Sequence, residues 1–165
     1  MALPAAAQRI QDALDALGHS GRVREFPAGT RTVADAAAAI GCMVAQIAKS
    51  LVFRAPQSDR PVLVIASGVN RVDERRIAAA LGEPIGKANA AFVRDRTGYV
   101  IGGVPPLGLA TPPVVFIDRD LLALDEIWAA AGTPNAVFPL RAADLERLTG
   151  GTVLDLKRLD IKSPD

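Results

Sequence analysis

A mixed α/β (α+β) fold is what this sequence of 165 residues predicts. Three observations carry that expectation. Ile47–Phe53 and Pro61–Ala66 are short apolar runs, the second strongly β-branched, as strands buried in a sheet are. Other stretches place apolar residues at helical spacing and end on a glycine, as at Gly18, Gly41, Gly82 and Gly98. Strands and helices then follow one another irregularly, without strict βαβ units, so helices should pack on a mixed sheet. There is no internal repeat, low-complexity stretch or linker, and a single domain over residues 1–165 is expected.

The elements read as follows. Residues 5–18 form an amphipathic helix on Ile10, Leu14 and Leu17, ended by Gly18. Arg22–Phe26 alternates as a short strand. Thr32 precedes a helix over Val33–Ile40, with Asp35 completing a capping box. A helical turn over Cys42–Gln46 leads into the Ile47 strand, a polar turn over Pro56–Arg60 follows, and Pro61–Ala66 is a central strand. Asn70 or Asp73 caps a helix running to Leu81, and Asn89 starts another that carries Phe92 and Val93 to Gly98. Tyr99–Ile101 reads as a brief strand entering the turn-rich Gly102–Gly108. Val114–Ile117 is a strand closed by Asp118. Ile127–Ala131 fits helix or strand equally. Ala136–Phe138 and Val153–Leu156 are strands, Ala142–Leu148 is a helix, and the charged tail from Lys157 should fray.

Composition narrows the function classes. Half the residues are hydrophobic and 22% are charged, which suits a packed core and not a disordered chain. A net charge of +1 is no footprint for sequence-independent nucleic-acid binding. One cysteine, Cys42, excludes an internal disulfide framework and reads as a small buried hydrophobe. No run is long enough to span a bilayer and no secretory leader is evident, so the expected location is cytoplasmic. One histidine, His19, lies in a glycine-rich turn and reads as solvated, which leaves no ordinary Ser-His-Asp or Cys-His site. HExxH, paired cysteines, a Walker A loop and GxGxxG are all missing, so neither metal nor cofactor is expected.

What remains is Lys49 and two glycine loops. Lys49 interrupts an apolar strand, where an unpaired ammonium is costly to bury. It therefore sits at an edge in water or is held by the strand at the mouth of a pocket. Gly102–Gly108 and Gly132–Asn135 bring backbone amides that can approach a ligand closely. Asp118 reads equally as a cap or a site residue, Trp128 as core or interface, and Phe53 and Tyr99 as pocket lining or packing beneath it.

These pieces fall in an order that resembles the YbaK/prolyl-tRNA-synthetase-associated editing domain family. The resemblance covers residues 30–156. It rests on Thr32–Ala37, Gln46–Phe53, Thr97–Tyr99, the Gly-x-x-x-Pro loop Gly102–Pro106 with Leu107–Gly108, Ile117–Asp118 and Ala131–Gly132. It implies a largely antiparallel, partly barrel-like sheet flanked by helices, with residues 125–131 mostly strand. It also implies an aminoacyl-tRNA deacylase that edits in trans, with tRNA-Pro carrying a small non-cognate amino acid as the commonest substrate. Lys49 would be the residue tied to deacylation. Gly102, Gly103 and Pro106 would face the terminal adenosine and the ester, and Gly132 would open the loop on the other side, where Thr133 and Asn135 either contact substrate or, for Asn135, only tolerate a left-handed turn. The partners implied are the acceptor end of the tRNA and prolyl-tRNA synthetase or an elongation factor. The loop after Gly132 reads Thr-Pro-Asn-Ala where some relatives carry charges, which leaves the accepted amino acid open. Two other readings stand beside this one: a non-catalytic tRNA- or synthetase-binding module of the same fold, and a hydrolase of small esters or amides.

Overall fold

The two apolar runs pair with each other at the centre of one sheet. The computed structural model describes residues 2–26 and 32–159. Strands β1 (Arg24–Glu25), β2 (Ile47–Ala55), β3 (Arg60–Ser67), β4 (Gly86–Lys87), β5 (Val114–Asp118), β6 (Glu126–Ala130), β7 (Ala136–Arg141) and β8 (Thr152–Leu154) form an eight-stranded sheet. Its order is β1-β7-β6-β2-β3-β5-β8, and β4 pairs with β2 off that path. The β1–β7, β6–β7, β2–β3 and β2–β4 pairings are antiparallel; β2–β6, β3–β5 and β5–β8 are parallel. Helices α1 (Ala5–Ala16), α2 (Val33–Ile40), α3 (Glu74–Leu81), α4 (Ala90–Thr97) and α5 (Leu145–Thr149) flank the sheet. This is the expected mixed architecture. Among the described residues no helix is long and apolar enough to cross a membrane.

The continuous apolar character of β3 has a direct cause: both its faces are covered. Val62, Val64 and Ala66 meet Ile77 of α3, Phe116 and Leu156 on one side. Leu63 and Ile65 join a larger cluster with Ile10 and Leu14 of α1, Val93 of α4 and Leu145 of α5 on the other. Burying each such Val, Leu or Ile side chain contributes about 1.5–3 kcal/mol. Leu17 does not join this core. It follows the last residue of α1 and is 49% exposed.

Helix ends follow the short-range signals. Thr32 accepts from the Asp35 N–H at 3.0 Å, and Asp35 accepts back from the Thr32 N–H at 3.2 Å. Asp73 caps α3 and Asn89 caps α4. Gly41, Gly82, Gly98 and Gly150 close α2, α3, α4 and α5 in the left-handed conformation. Asn70, the alternative cap for α3, is used elsewhere.

Several local expectations need correction. Tyr99–Ile101 is not a strand. The Thr97 hydroxyl receives the Tyr99 N–H at 3.0 Å, and the chain turns immediately, with the Gly103 N–H donating to the Val100 carbonyl at 2.9 Å. The predicted helix over Ala142–Leu148 begins as a 3-10 turn at Ala142–Asp144 before α5. Residues 126–130, ambiguous by pattern, form β6. The tail does not fray at Lys157: the residue bridges Val72 and its ammonium donates to Asp120 at 2.9 Å. The tail from residue 160 on lies outside the described residues.

Candidate functional site

One edge of β2 is divided between two partners. Antiparallel β3 runs along the whole of its other edge, from Ala48 to Ala55. On the divided edge β6 pairs only with Ile47 and Ala48, and β4 only with Phe53 and Arg54. Among the described strands, residues 49–52 have no neighbour there. The Gly68 N–H donates to the Ile47 carbonyl, so the odd-numbered residues of β2 turn their backbone groups toward β3. By alternation the peptide groups of Ser50 and Val52 face the gap.

A cavity of about 320 Å³ lies at this gap. Lys49, Ser50, Gly102, Trp128, Pro134 and Val33 are among its lining residues. Lys49 carries the only charged side chain among the described lining residues. It makes no hydrogen bond or ion pair with any described residue. Burial pulls its ammonium below the ordinary lysine value, and nearby Arg71 pulls the same way, while Asp118 opposes both. An unneutralised cation on a rigid strand, with a second one beside it, is the electrostatics of an anion-binding wall.

Asp118 is a support beneath this wall. It is 1% exposed. Its carboxylate accepts from the Ser67 N–H at 3.0 Å, the Asn70 side-chain amide at 2.8 Å and the Asp120 N–H at 2.9 Å. Asn70 also donates to Asp120, which receives Lys157. The Asn70 hydrogen bond, then Lys157, holds the Asp120 carboxyl below the ordinary aspartate range. Asp118 is thus a cap, tied into a polar network, whose charge reaches Lys49 through space.

The two glycine loops meet at the cavity's rim. Gly102 adopts φ +89°, and a Cβ there would lie 3.8 Å from Pro134. Gly103 is packed so closely that a Cβ would stand 2.8 Å from the Thr133 backbone. Gly132, at φ +95°, would place a Cβ 2.6 Å from the Ala6 carbonyl. Close backbone approach at Gly103 and Gly132, and a left-handed φ at Gly102 and Gly132, are why these positions are glycine.

Of the residues singled out from the sequence, Lys49 and Gly102 line the cavity. Gly103, Pro106 and Gly132 are buried behind its rim. Thr133 and Asn135 build the second loop: the Thr133 hydroxyl accepts from the Asn135 N–H at 3.3 Å, and the Asn135 carbonyl from the Phe26 N–H at 2.8 Å. Pro134, between them, is what reaches the cavity. Trp128 is 8% exposed and combines core and lining. Phe53 lines a second cavity, and Tyr99 is buried beneath the Arg9 guanidinium. Cys42 is half-buried against the Ile47 and Trp128 cluster. His19 is not simply solvated: its Nε2 lies 2.9 Å from the Pro139 carbonyl, far along the chain from β2.

Ser50 and Arg71 escaped the sequence reading. Ser50 lines both cavities, and its Oγ is buried with no hydrogen-bond partner. No sequence pattern marked it, since strand alternation sends its side chain to the face opposite Lys49.

The fold and sequence have known counterparts. The model of the aminoacyl-tRNA editing domain family matches residues 27–148. Uncharacterized protein YwhH of Bacillus subtilis (strain 168) is 33% identical over 127 residues, covering 77% of this chain and 80% of that protein. The proline–tRNA ligase of Limosilactobacillus fermentum is 31% identical over 97 residues, which is 56% of this chain and 17% of the ligase. A crystal structure of a candidate trans-editing enzyme for prolyl tRNA synthetase superposes with a TM-score of 0.90 at 43% identity, over 96% of this chain and 100% of that one.

Proposed function

Because this chain belongs to the aminoacyl-tRNA editing domain family, we propose that it is a deacylase acting in trans on mischarged tRNA. The substrate proposed is tRNA-Pro carrying a small non-cognate amino acid, in keeping with the two relatives tied to prolyl-tRNA synthesis. One observation carries the reading: the unpaired ammonium of Lys49 stands on the wall of a cavity that is otherwise uncharged among its described residues.

An aminoacyl ester is labile, so modest assistance suffices. Water attacks the ester carbonyl and negative charge grows on its oxygen. Lys49 can stabilise that charge or hold a terminal phosphate oxygen, and Arg71 adds positive potential beside it. Backbone N–H groups at the open edge of β2 and in the Gly102 loop add further donors. The described lining residues include no carboxylate and no imidazole to act as a base. The attacking water would then be oriented by backbone groups and by the hydroxyls of the substrate's own terminal ribose. Gly102, Gly103, Pro106, Gly132, Thr133 and Asn135 would shape the two loops that receive the acceptor end.

The test is deacylation of tRNA-Pro charged with Ala, Cys, Ser, Thr or Pro, by the wild type and by Lys49→Ala. Hydrolysis of mischarged species that spares Pro, falling about a hundred- to a thousand-fold in the variant, is expected. A folded Lys49→Ala protein with undiminished activity would remove Lys49 from the mechanism. Inactivity of the wild type on every species would favour a binding module.

A further inference from the structure

Two arginines stand side by side on the surface with no carboxylate between them. Val72 and Lys157 form an isolated antiparallel bridge. One residue outward on each segment lie Arg71 and Arg158, tied through their backbones: the Arg158 N–H donates to the Arg71 carbonyl at 2.6 Å. Val72 packs toward the Ile77 and Leu156 cluster, so alternation turns both arginines the other way, and both are exposed. Residues directly opposite on antiparallel segments have Cβ atoms about 4.5–5.5 Å apart, and like charges placed there repel.

The carboxylates of the neighbourhood are already engaged. Asp120 receives Asn70 and Lys157, Asp155 receives Arg76 and Arg119, and Asp118 accepts its three N–H donors. Among the described residues neither the Arg71 nor the Arg158 side chain makes an ion pair or a hydrogen bond. Arg71 in turn lies close enough to act on the Lys49 ammonium. Lys49, Arg71 and Arg158 therefore follow one another from the cavity wall to the open surface. With a net charge of only +1, the chain holds this as a local feature and not as a general basic face. A repelling pair that the fold leaves unneutralised is suited to an anion from outside. Guanidinium forks match phosphate oxygens in shape as well as charge.

We propose that Arg71 and Arg158 form a phosphate-binding pair that holds the RNA backbone of the nucleotides preceding the terminal adenosine. The proposal rests on the deacylase reading for the polyanion that reaches this surface, but its evidence is read from binding and not from turnover.

The experiment titrates an uncharged minihelix of the tRNA-Pro acceptor stem, ending in CCA, by fluorescence anisotropy over a series of KCl concentrations. The proteins are the wild type, Arg71→Gln and Arg158→Gln. Each variant should weaken binding about tenfold at low salt and reduce the slope of log affinity against log salt by about 0.7–1. Both should keep the wild-type Tm or exceed it, because one of two repelling charges is removed and no ion pair is lost. A lowered Tm would reveal a stabilising partner and overturn the premise. Absence of binding by the wild type, or slopes unchanged in the variants, would overturn the assignment. So would polyglutamate binding as tightly as the minihelix and weakening equally in the variants, since the partner would then be an acidic protein. Salt-dependent binding that both variants weaken, without hydrolysis of any charged tRNA, would sink the deacylase reading and leave the phosphate pair standing. Hydrolysis with unaltered slopes would do the reverse.

Discussion

The Gly132 N–H donates to the Gly103 carbonyl at 2.9 Å. One hydrogen bond thus joins two loops almost thirty residues apart, and both reach the cavity through a neighbouring residue, Gly102 on one side and Pro134 on the other. The rim is a backbone-to-backbone contact with no side chain between.

Gly103→Ala should force this contact apart. Its Cβ would meet the Thr133 Cα and carbonyl carbon at 2.8 Å, where only backbone can yield. A loss of about 1–3 kcal/mol is expected from such overpacking. Chemical denaturation measures it, and an unchanged midpoint would mean the rim is softer than its geometry implies.

Lys49→Met should separate stability from activity. The Lys49 ammonium is disfavoured in the folded state, chiefly by burial, so its folded pKa lies below the ordinary 10.5. The unfolded chain therefore binds this proton more tightly. The penalty is fully present below the folded pKa and is relieved as pH rises through it toward 10.5. Removing the charge should raise Tm at neutral pH, at about 2–4 °C per kcal/mol recovered, while deacylation is lost. The gain should shrink in the alkaline range. A lower Tm in a folded Lys49→Met protein would show that the ammonium has a stabilising partner.

Asp118→Asn tests the support beneath the lysine. The carboxylate accepts three hydrogen bonds, and an amide would present N–H groups to at least one of those donors. Destabilisation of about 2–4 kcal/mol is expected. Asp118 also raises the Lys49 pKa, so its neutralisation should move the alkaline fall of deacylation to lower pH. A pH profile that stays in place would confine Asp118 to structure.

His19→Asn should spare deacylation. The imidazole meets the Pro139 carbonyl at 2.9 Å and the edge of Phe138, and neither lies on the Lys49 cavity. The cost should be about 1 kcal/mol of stability, read from a melting curve. A large loss of activity would contradict the placement of the site at β2.

Much of this was legible before the structure, because much of it is local. The Thr32–Asp35 capping box, the Asp73 and Asn89 caps and the closing glycines are each decided within four residues, by side chains that satisfy orphan amides and by left-handed turns. The buried strand Pro61–Ala66 announced itself by continuous apolar character, which both covered faces explain. Lys49 stood out because a charge inside such a pattern conflicts with burial. Tyr99–Ile101 misled for the opposite reason. Its β-branched pair suits a strand, but a strand requires a neighbour, and Gly98, Gly102 and the Thr97 hydroxyl turn the chain before one is met.

What the sequence determined by itself, then, was most of the helices and the longer strands, the helix caps and the lysine that interrupts an apolar strand, because these follow from contacts a few residues long. What only the tertiary structure decided was the pairing of β2 with β6 at one end and β4 at the other, and hence the open edge between them. It likewise decided the meeting of Gly103 with Gly132, the proximity of Arg71 and Asp118 to Lys49, and the enclosure of the Ser50 hydroxyl. Those depend on contacts far apart along the chain, which local pattern and propensity do not encode.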